Sequence, residues 1–156
     1  MKNSHQTSFT DIEYSSRRRT TPLDEFLGAM EEIIPWDEWV AFVERYLPED
    51  ERGQPSAEIE PLLRMYLLQS WYSLSEEGVL DRIYDSYAFR TFMKVDFVRV
   101  HPPDSAALLK FHHLLKKHNI DKVFSDAISG TLREHGYMIR GGSVVEPVIV
   151  SKNQEK

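Results

Sequence analysis

The chain contains no cysteine. That excludes a disulfide framework, a Cys-ligated zinc or iron–sulfur site and a thiol nucleophile. It leaves the compartment open, and a reducing cytosol fits. Long apolar runs are missing too, since none approaches the ~20 residues of a membrane span. The polar opening Met1–Thr10 lacks the hydrophobic stretch of a signal peptide. The expectation is a cytoplasmic protein with no membrane partner. The glycine signatures of common enzymes are also lacking: there is no G-x-S-x-G, no P-loop and no G-x-G-x-x-G. The serines are plentiful, but none sits in a recognisable nucleophile setting.

What is present is ordinary for a globular domain. The 156 residues are 41% apolar, 28% charged and 12% aromatic, which excludes a collagen, a low-complexity chain and a fully disordered one. This length favours one domain with a core of its own. The net charge is -6 and is unevenly spread: residues 1–50 carry 11 Asp/Glu against 5 Lys/Arg, while residues 101–156 carry 6 against 8. A chain this acidic binds nucleic acid only by concentrating positive charge locally. Two concentrations stand out, Arg17-Arg18-Arg19 and the group Lys110, Lys116, Lys117 and Lys122.

Periodicity predicts a mainly α protein, a bundle-like domain of about seven helices. Residues 1–19 read as a flexible basic arm. Thr21 and Asp24 have capping-box spacing with Pro22 between them, so a helix starts there. Its apolar face is Leu23, Phe26, Leu27, Met30, Ile33 and Ile34. Pro35 ends it and opens a second, through Trp36, Trp39, Val40, Val43, Tyr46 and Leu47, which Pro48 ends. After the polar connector 48–55, a third helix carries Ile59, Leu62, Leu63, Tyr66, Leu67, Ser70, Trp71 and Leu74. Its regular stripe marks it as the central helix. Ser73 or Ser75 caps a fourth, with Val79, Leu80, Ile83 and Tyr84. A short fifth runs from Tyr87 to Met93. Pro102-Pro103 interrupt helix. Asp104 or Ser105 then caps a sixth, to about His118. Asp121 caps a seventh, stopped at Gly136. Finally, Tyr137-Met138-Ile139 and Val144-Val145 flank Arg140-Gly141-Gly142-Ser143 and read as a short β-hairpin, its second run demoted to an edge by Pro147.

Five of the six histidines, His101, His112, His113, His118 and His135, lie in the last third. A metal-sharing pair on a helix wants i, i+4 spacing, and His113 and His118 are five apart with lysines between them. The group reads as a partly solvated polar face, and no metal site is expected. Asp81 and Asp85 share a helical face, but with Arg82 beside them they read as surface charge rather than an acid/base pair.

Larger blocks carry more information. Ser8-Phe9-Thr10-Asp11-Ile12-Glu13-Tyr14 leads into the Arg triplet. Phe26-Leu27 and Met30-Glu31 lead to Ile34-Pro35-Trp36. Leu62-Leu63-Arg64-Met65 is followed by Gln69-Ser70-Trp71-Tyr72-Ser73-Leu74-Ser75. Then come Pro103-Asp104-Ser105, Phe111-His112-His113-Leu114-Leu115 and Gly142-Ser143-Val144-Val145. In this order and spacing, residues 5–146 resemble the N-terminal region of bacterial insertion-sequence transposases of the insertion-sequence-five family, whose catalytic half is an RNase H-like DDE domain. The resemblance implies a helical domain at 20–136 that recognises transposon-end DNA or assembles the transposase. It also implies that residues 137–156 begin the catalytic sheet.

The departures matter as much. Glu146 stands where the family places its first catalytic Asp, and Pro147 follows it. Ala106-Ala107 replace hydroxyl residues, and His112 replaces an Arg. The other two catalytic acids lie far downstream in full-length relatives. A DDE site holds two divalent metals between three carboxylates, so magnesium is implied only for those relatives. Expected here is an N-terminal transposase piece that is not an enzyme alone and needs no cofactor. Its contacts to DNA are expected to be weak, through Arg17, Arg18, Arg19, Lys110, Lys116 and Lys117. Self-association, or association with full-length transposase, accompanies that reading. The alternative is a reused protein-interaction or regulatory module without DNA binding.

Overall fold

The computed structural model describes residues 9–16, 19–47, 56–140 and 146–151. The described residues form eight helices and one two-stranded antiparallel sheet, so the fold is mainly α. The helices are α1 (Phe9–Ser15), α2 (Pro22–Ile33), α3 (Trp36–Glu44), α4 (Ser56–Trp71), α5 (Glu76–Asp85), α6 (Tyr87–Met93), α7 (Ser105–Lys117) and α8 (Ile120–Glu134). The strands are β1 (Tyr137–Arg140) and β2 (Val148–Ser151).

Local chemistry sets most boundaries. The Asp24 N–H donates to Thr21 Oγ1 at 3.2 Å, and the Thr21 N–H donates back to the Asp24 carboxylate at 3.0 Å, a complete capping box. Ser75 accepts from the Gly78 N–H, Ser86 from the Phe89 N–H and Asp104 from the Ala107 N–H, starting α5, α6 and α7. Ser73 plays a different part: its φ of 52° closes α4 in a left-handed turn. Gly136, at φ 82°, ends α8 where only glycine sits without strain.

The helix packed at the centre is α4, against α3, α5, α6 and α7. The reason differs from the one the stripe suggested. Residues 63–69 are all buried, Arg64 and Gln69 included, so this stretch is covered around its whole circumference. The other helices bury one stripe each: Phe26, Leu27 and Met30 on α2, Leu108, Phe111 and Leu115 on α7, Phe124, Ile128 and Leu132 on α8. Trp39 of α3 stacks on Phe124 of α8 at 4.0 Å and 7° between planes.

Three expectations need correction. Part of the 1–19 arm is helix: α1 carries Tyr14, whose ring meets Tyr87 of α6 at 4.1 Å. Asp121 does not cap α8. Asn119 does, in a left-handed conformation (φ 55°) and without a side-chain cap bond, while Asp121 accepts from Lys116 Nζ at 2.8 Å. Asparagine tolerates this conformation better than most residues. The hairpin pairs β1 with 148–151 rather than with Val144-Val145; the register runs Tyr137 opposite Ser151 to Arg140 opposite Val148. Residues 141–145 lie outside the described residues. Pro147 is buried and immediately precedes β2, where its missing N–H costs no ladder bond. The hairpin rests on the helical body, β1 against α8 and β2 against α2.

Candidate nucleic-acid interface

Arg17 and Arg18 lie outside the described residues. Arg19 is exposed, two residues before the Thr21 cap. The docking of Tyr14 on Tyr87 ties the chain just before the triplet to α6.

Lys110, Lys116 and Lys117 are all exposed on α7, but they do not make one patch. Lys110 and Lys117 are two turns apart and border a groove of about 690 Å³ floored by Ile59, Leu62, Phe111 and Leu114. Lys116 lies on the other side of α7, beside a smaller cavity of about 380 Å³, and donates to Asp121. Burial raises the Asp121 carboxyl, but the Lys116 hydrogen bond and the Lys122 backbone N–H outweigh it, leaving the group below the usual carboxylate range. Lys116 is thus already partnered, and α7 offers two cations on one face and one on another.

The histidines disperse as well. His112 turns inward, its Nδ1 3.4 Å from Gln69 Oε1 and its ring edge-on to Tyr66. His113 and His101 border the larger groove, and His118 packs on Tyr46. Among the described residues no group of three or more His, Asp or Glu side chains is placed to hold a metal ion.

Glu146 is exposed, and the charged group beside it is a cation: Arg82 Nη2 lies 3.7 Å from its carboxylate. The Arg82 guanidinium also sits 4.7 Å above the Phe89 ring. Nearby, the Tyr72 hydroxyl is buried without a hydrogen-bond partner among the described residues, and burial, then the Glu146 charge, raise its pKa above the usual phenol value. A two-metal site needs carboxylates converging on one point. Among the described residues, Glu146 has Arg82 beside it and belongs to no group of three or more His, Asp or Glu side chains placed for a metal ion.

The densest polar cluster is one that pattern reading did not single out. Arg64, 1% exposed, sends Nη2 to Glu31 Oε1 at 3.1 Å, Nη1 to Glu31 Oε2 and also Nη1 to the Phe92 carbonyl at 2.9 Å. Its guanidinium lies 3.9 Å from the Trp36 ring centre, and Glu60 is 3.6 Å from its Nε. The Trp36 indole N–H donates to the Glu31 carbonyl at 3.1 Å. One buried guanidinium therefore fastens α2, the start of α3, α4 and α6 together. The available signal was an arginine inside an apolar run, Leu62-Leu63-Arg64-Met65, where a buried charge requires a partner elsewhere.

Residues 15–114, more than half of the chain, match the family described as Transposase domain (DUF772). The match runs from the end of α1 into α7 and includes Glu31, Trp36, Arg64 and Phe92. The chain belongs to this transposase-domain family. No solved structure matches it. Among the described residues, no helix is long and apolar enough to cross a membrane.

Proposed function

We propose that these 156 residues are the N-terminal DNA-binding and assembly part of an insertion-sequence transposase of the insertion-sequence-five, DDE type. In this reading they bind transposon-end DNA weakly and neither cut nor join strands alone. The observation that carries it is the transposase-domain match over residues 15–114, which runs from the end of α1 into α7 and includes the Arg triplet. The charged contacts are Arg17, Arg18 and Arg19, helped by Lys110 and Lys117; Lys116, on another face of α7, joins them only by leaving Asp121. Magnesium chemistry belongs to the complete DDE transposase. The domain places DNA and self-associates or joins a full-length copy.

The test is anisotropy of labelled duplex DNA across a salt series. Phosphate contacts release counterions, so each loses about 0.9 from the logarithmic salt slope when removed. Replacing the three arginines by alanine should flatten the slope by up to ~3. The acidic surface keeps non-specific affinity near 10⁻⁴ M or weaker at physiological salt, by order of magnitude. The net charge of -6 favours a second reading, an interaction module without DNA binding. Absence of binding at low salt would select it.

A further inference from the structure

The groove beside α7 is apolar inside and basic along one edge. Leu62 of α4 and Leu114 of α7 are half-buried in it, and Val100, 41% exposed, also lines it. Pro102 and Pro103 form part of its wall. A proline has no N–H to give, so this wall does not extend a strand ladder. The groove suits side chains carried in on a helix. Its basic edge is a single stripe of α7: Lys110, His113 and Lys117 stand at i, i+3 and i+7, about 10 Å from first to last. Lys110 has an interaction of its own, so the weight falls on His113 and Lys117. Glu58 is the one carboxylate among the described residues that line the groove.

Charge selects what such a groove takes. Two copies meeting groove to groove would set lysine against lysine, and like charges oppose contact. The complementary stripe is on the same chain. Glu77, Asp81 and Asp85 stand at i, i+4 and i+8 of α5, all exposed, over about 12 Å. Arg82, the cation between them, turns instead to Glu146 and the Phe89 ring. Tyr84 shares the acidic face, and 56% of it stays exposed although it stacks on Phe97. Among the described residues, no other exposed large apolar side chain sits in such a row of carboxylates. The two stripes match in length and oppose in sign.

Resting on the self-association in the reading above, we propose that a second copy of this chain seats its α5 face against the groove. Its Glu77, Asp81 and Asp85 lie along the His113–Lys117 edge, and its Tyr84 lies over Leu62 and Leu114. Within one copy α5 packs against α7, so the acidic face and the groove lie on neighbouring helices. A two-fold pairing then makes both contacts at once and closes as a dimer instead of growing into a filament. Exposed charge pairs orient the partners more than they bind them, so the dimer is sensitive to salt.

Sedimentation equilibrium of the whole chain tests this. The wild type should dimerise, and the dimer should weaken as salt rises from about 0.05 to about 0.5 M, where exposed charges are screened. His113→Glu with Lys117→Glu makes the edge acidic, and Asp81→Lys with Asp85→Lys makes the α5 face basic. Each double variant alone should associate about tenfold more weakly or worse. An equimolar mixture of the two should recover wild-type association, because each reversed edge meets a reversed face; mixing does not repair a damaged fold. Lys122→Glu, an exposed α8 position beside the smaller cavity, should change nothing. Circular dichroism and thermal unfolding confirm that each variant is folded, and the single changes Lys117→Glu and Asp85→Lys carry the same test if a double variant is not. A wild type that stays monomeric at millimolar concentration overturns this proposal and the self-association it rests on, whereas the anisotropy series judges DNA binding separately. A dimer that neither double variant weakens, or that mixing does not restore, overturns this pairing while self-association stands.

Discussion

Arg64 and Arg90 both lie against aromatic rings, yet they belong to different kinds of region. Arg64 is sealed in, with Trp36 on its face and Glu31 at its edge. Its charge is cancelled within the protein. Arg90 is only partly covered, lies over Tyr87 and Phe97, and stands on a face that ends in exposed Tyr84 and Val98. The first arginine is fastened to structure, and the second is set beside surface that structure leaves open. The difference lies in the carboxylate. An arginine whose partner is built in is committed to folding. One held mainly by ring faces is not committed to a built-in carboxylate in that way.

The largest effect that sharpens this contrast is expected at Glu31. Glu31→Ala leaves the buried Arg64 without its bidentate acceptor and should cost about 3 kcal/mol or more. Arg64→Met removes the charge together with its need for a partner, so it should cost less despite the larger change in chemistry. Urea denaturation of the two variants decides the point. If Arg64→Met is the more damaging, the guanidinium is held chiefly by packing, and the distinction from Arg90 collapses.

Next in size is the core of α4. Leu67→Ala should cost roughly 2–5 kcal/mol. Leu63→Ala should cost more, because Leu63 is fully buried whereas Leu67 borders the cavity of about 380 Å³. Equal losses in equilibrium unfolding would show that the cavity does not relieve the Leu67 site. A loss under about 0.5 kcal/mol at either position would contradict the placement of α4 at the centre.

How far this was readable from sequence depends on whether the deciding interaction is local. The Thr21–Asp24 capping box, the Asp104 cap and the glycine at 136 were legible, because each is settled within four residues. The apolar stripes of α2, α7 and α8 were legible for the same reason, as was the resemblance that the family match supports. Tyr84 and Tyr46 were read as stripe residues although they reach solvent, since periodicity cannot say where a neighbouring helix stops. The Arg64–Glu31 pair spans 33 residues of sequence and leaves no periodic trace. The strand partner was misread because Gly-Gly suggested a tight turn, whereas the pairing skips to 148–151. Of the expected site residues, Arg19 and the three lysines are exposed, but only three-dimensional placement shows that Lys116 faces away from Lys110 and Lys117 and toward Asp121.

A pH effect of roughly 2 kcal/mol comes from Tyr66. Burial, with a contribution from Asp121, pushes its phenol up to about 12. In the unfolded chain a tyrosine ionises near 10. The raised folded value means that this stabilisation is complete below about pH 10, where both states keep the proton. It is lost as pH rises toward 12, because the unfolded chain ionises first. Unfolding free energies measured through that window should fall for the wild type and fall less for Tyr66→Phe. Identical pH dependence in the two proteins would show that Tyr66 ionises freely, and that α4 is less sealed than the contrast with the open face requires.

The smallest effect is expected at Glu146. Its pair with Arg82 is 3.7 Å long, and the two side chains are 66% and 36% exposed. Such pairs are worth between 0 and about 1 kcal/mol. Arg82 is also held over Phe89, so it should stay in place when the carboxylate is gone. Glu146→Gln should therefore change stability by less than about 1 kcal/mol, while making the Tyr72 phenol easier to ionise, since the Glu146 charge helps to raise its pKa. The variant also separates the two meanings this residue could have. A structural, arginine-paired glutamate predicts that wild type and Glu146→Gln alike leave supercoiled plasmid intact with magnesium or manganese. Nicking by the wild type that disappears in Glu146→Gln would mean that the carboxylate can release Arg82 and take a metal. Glu146 would then belong with the open surface and not with the paired charges of the interior.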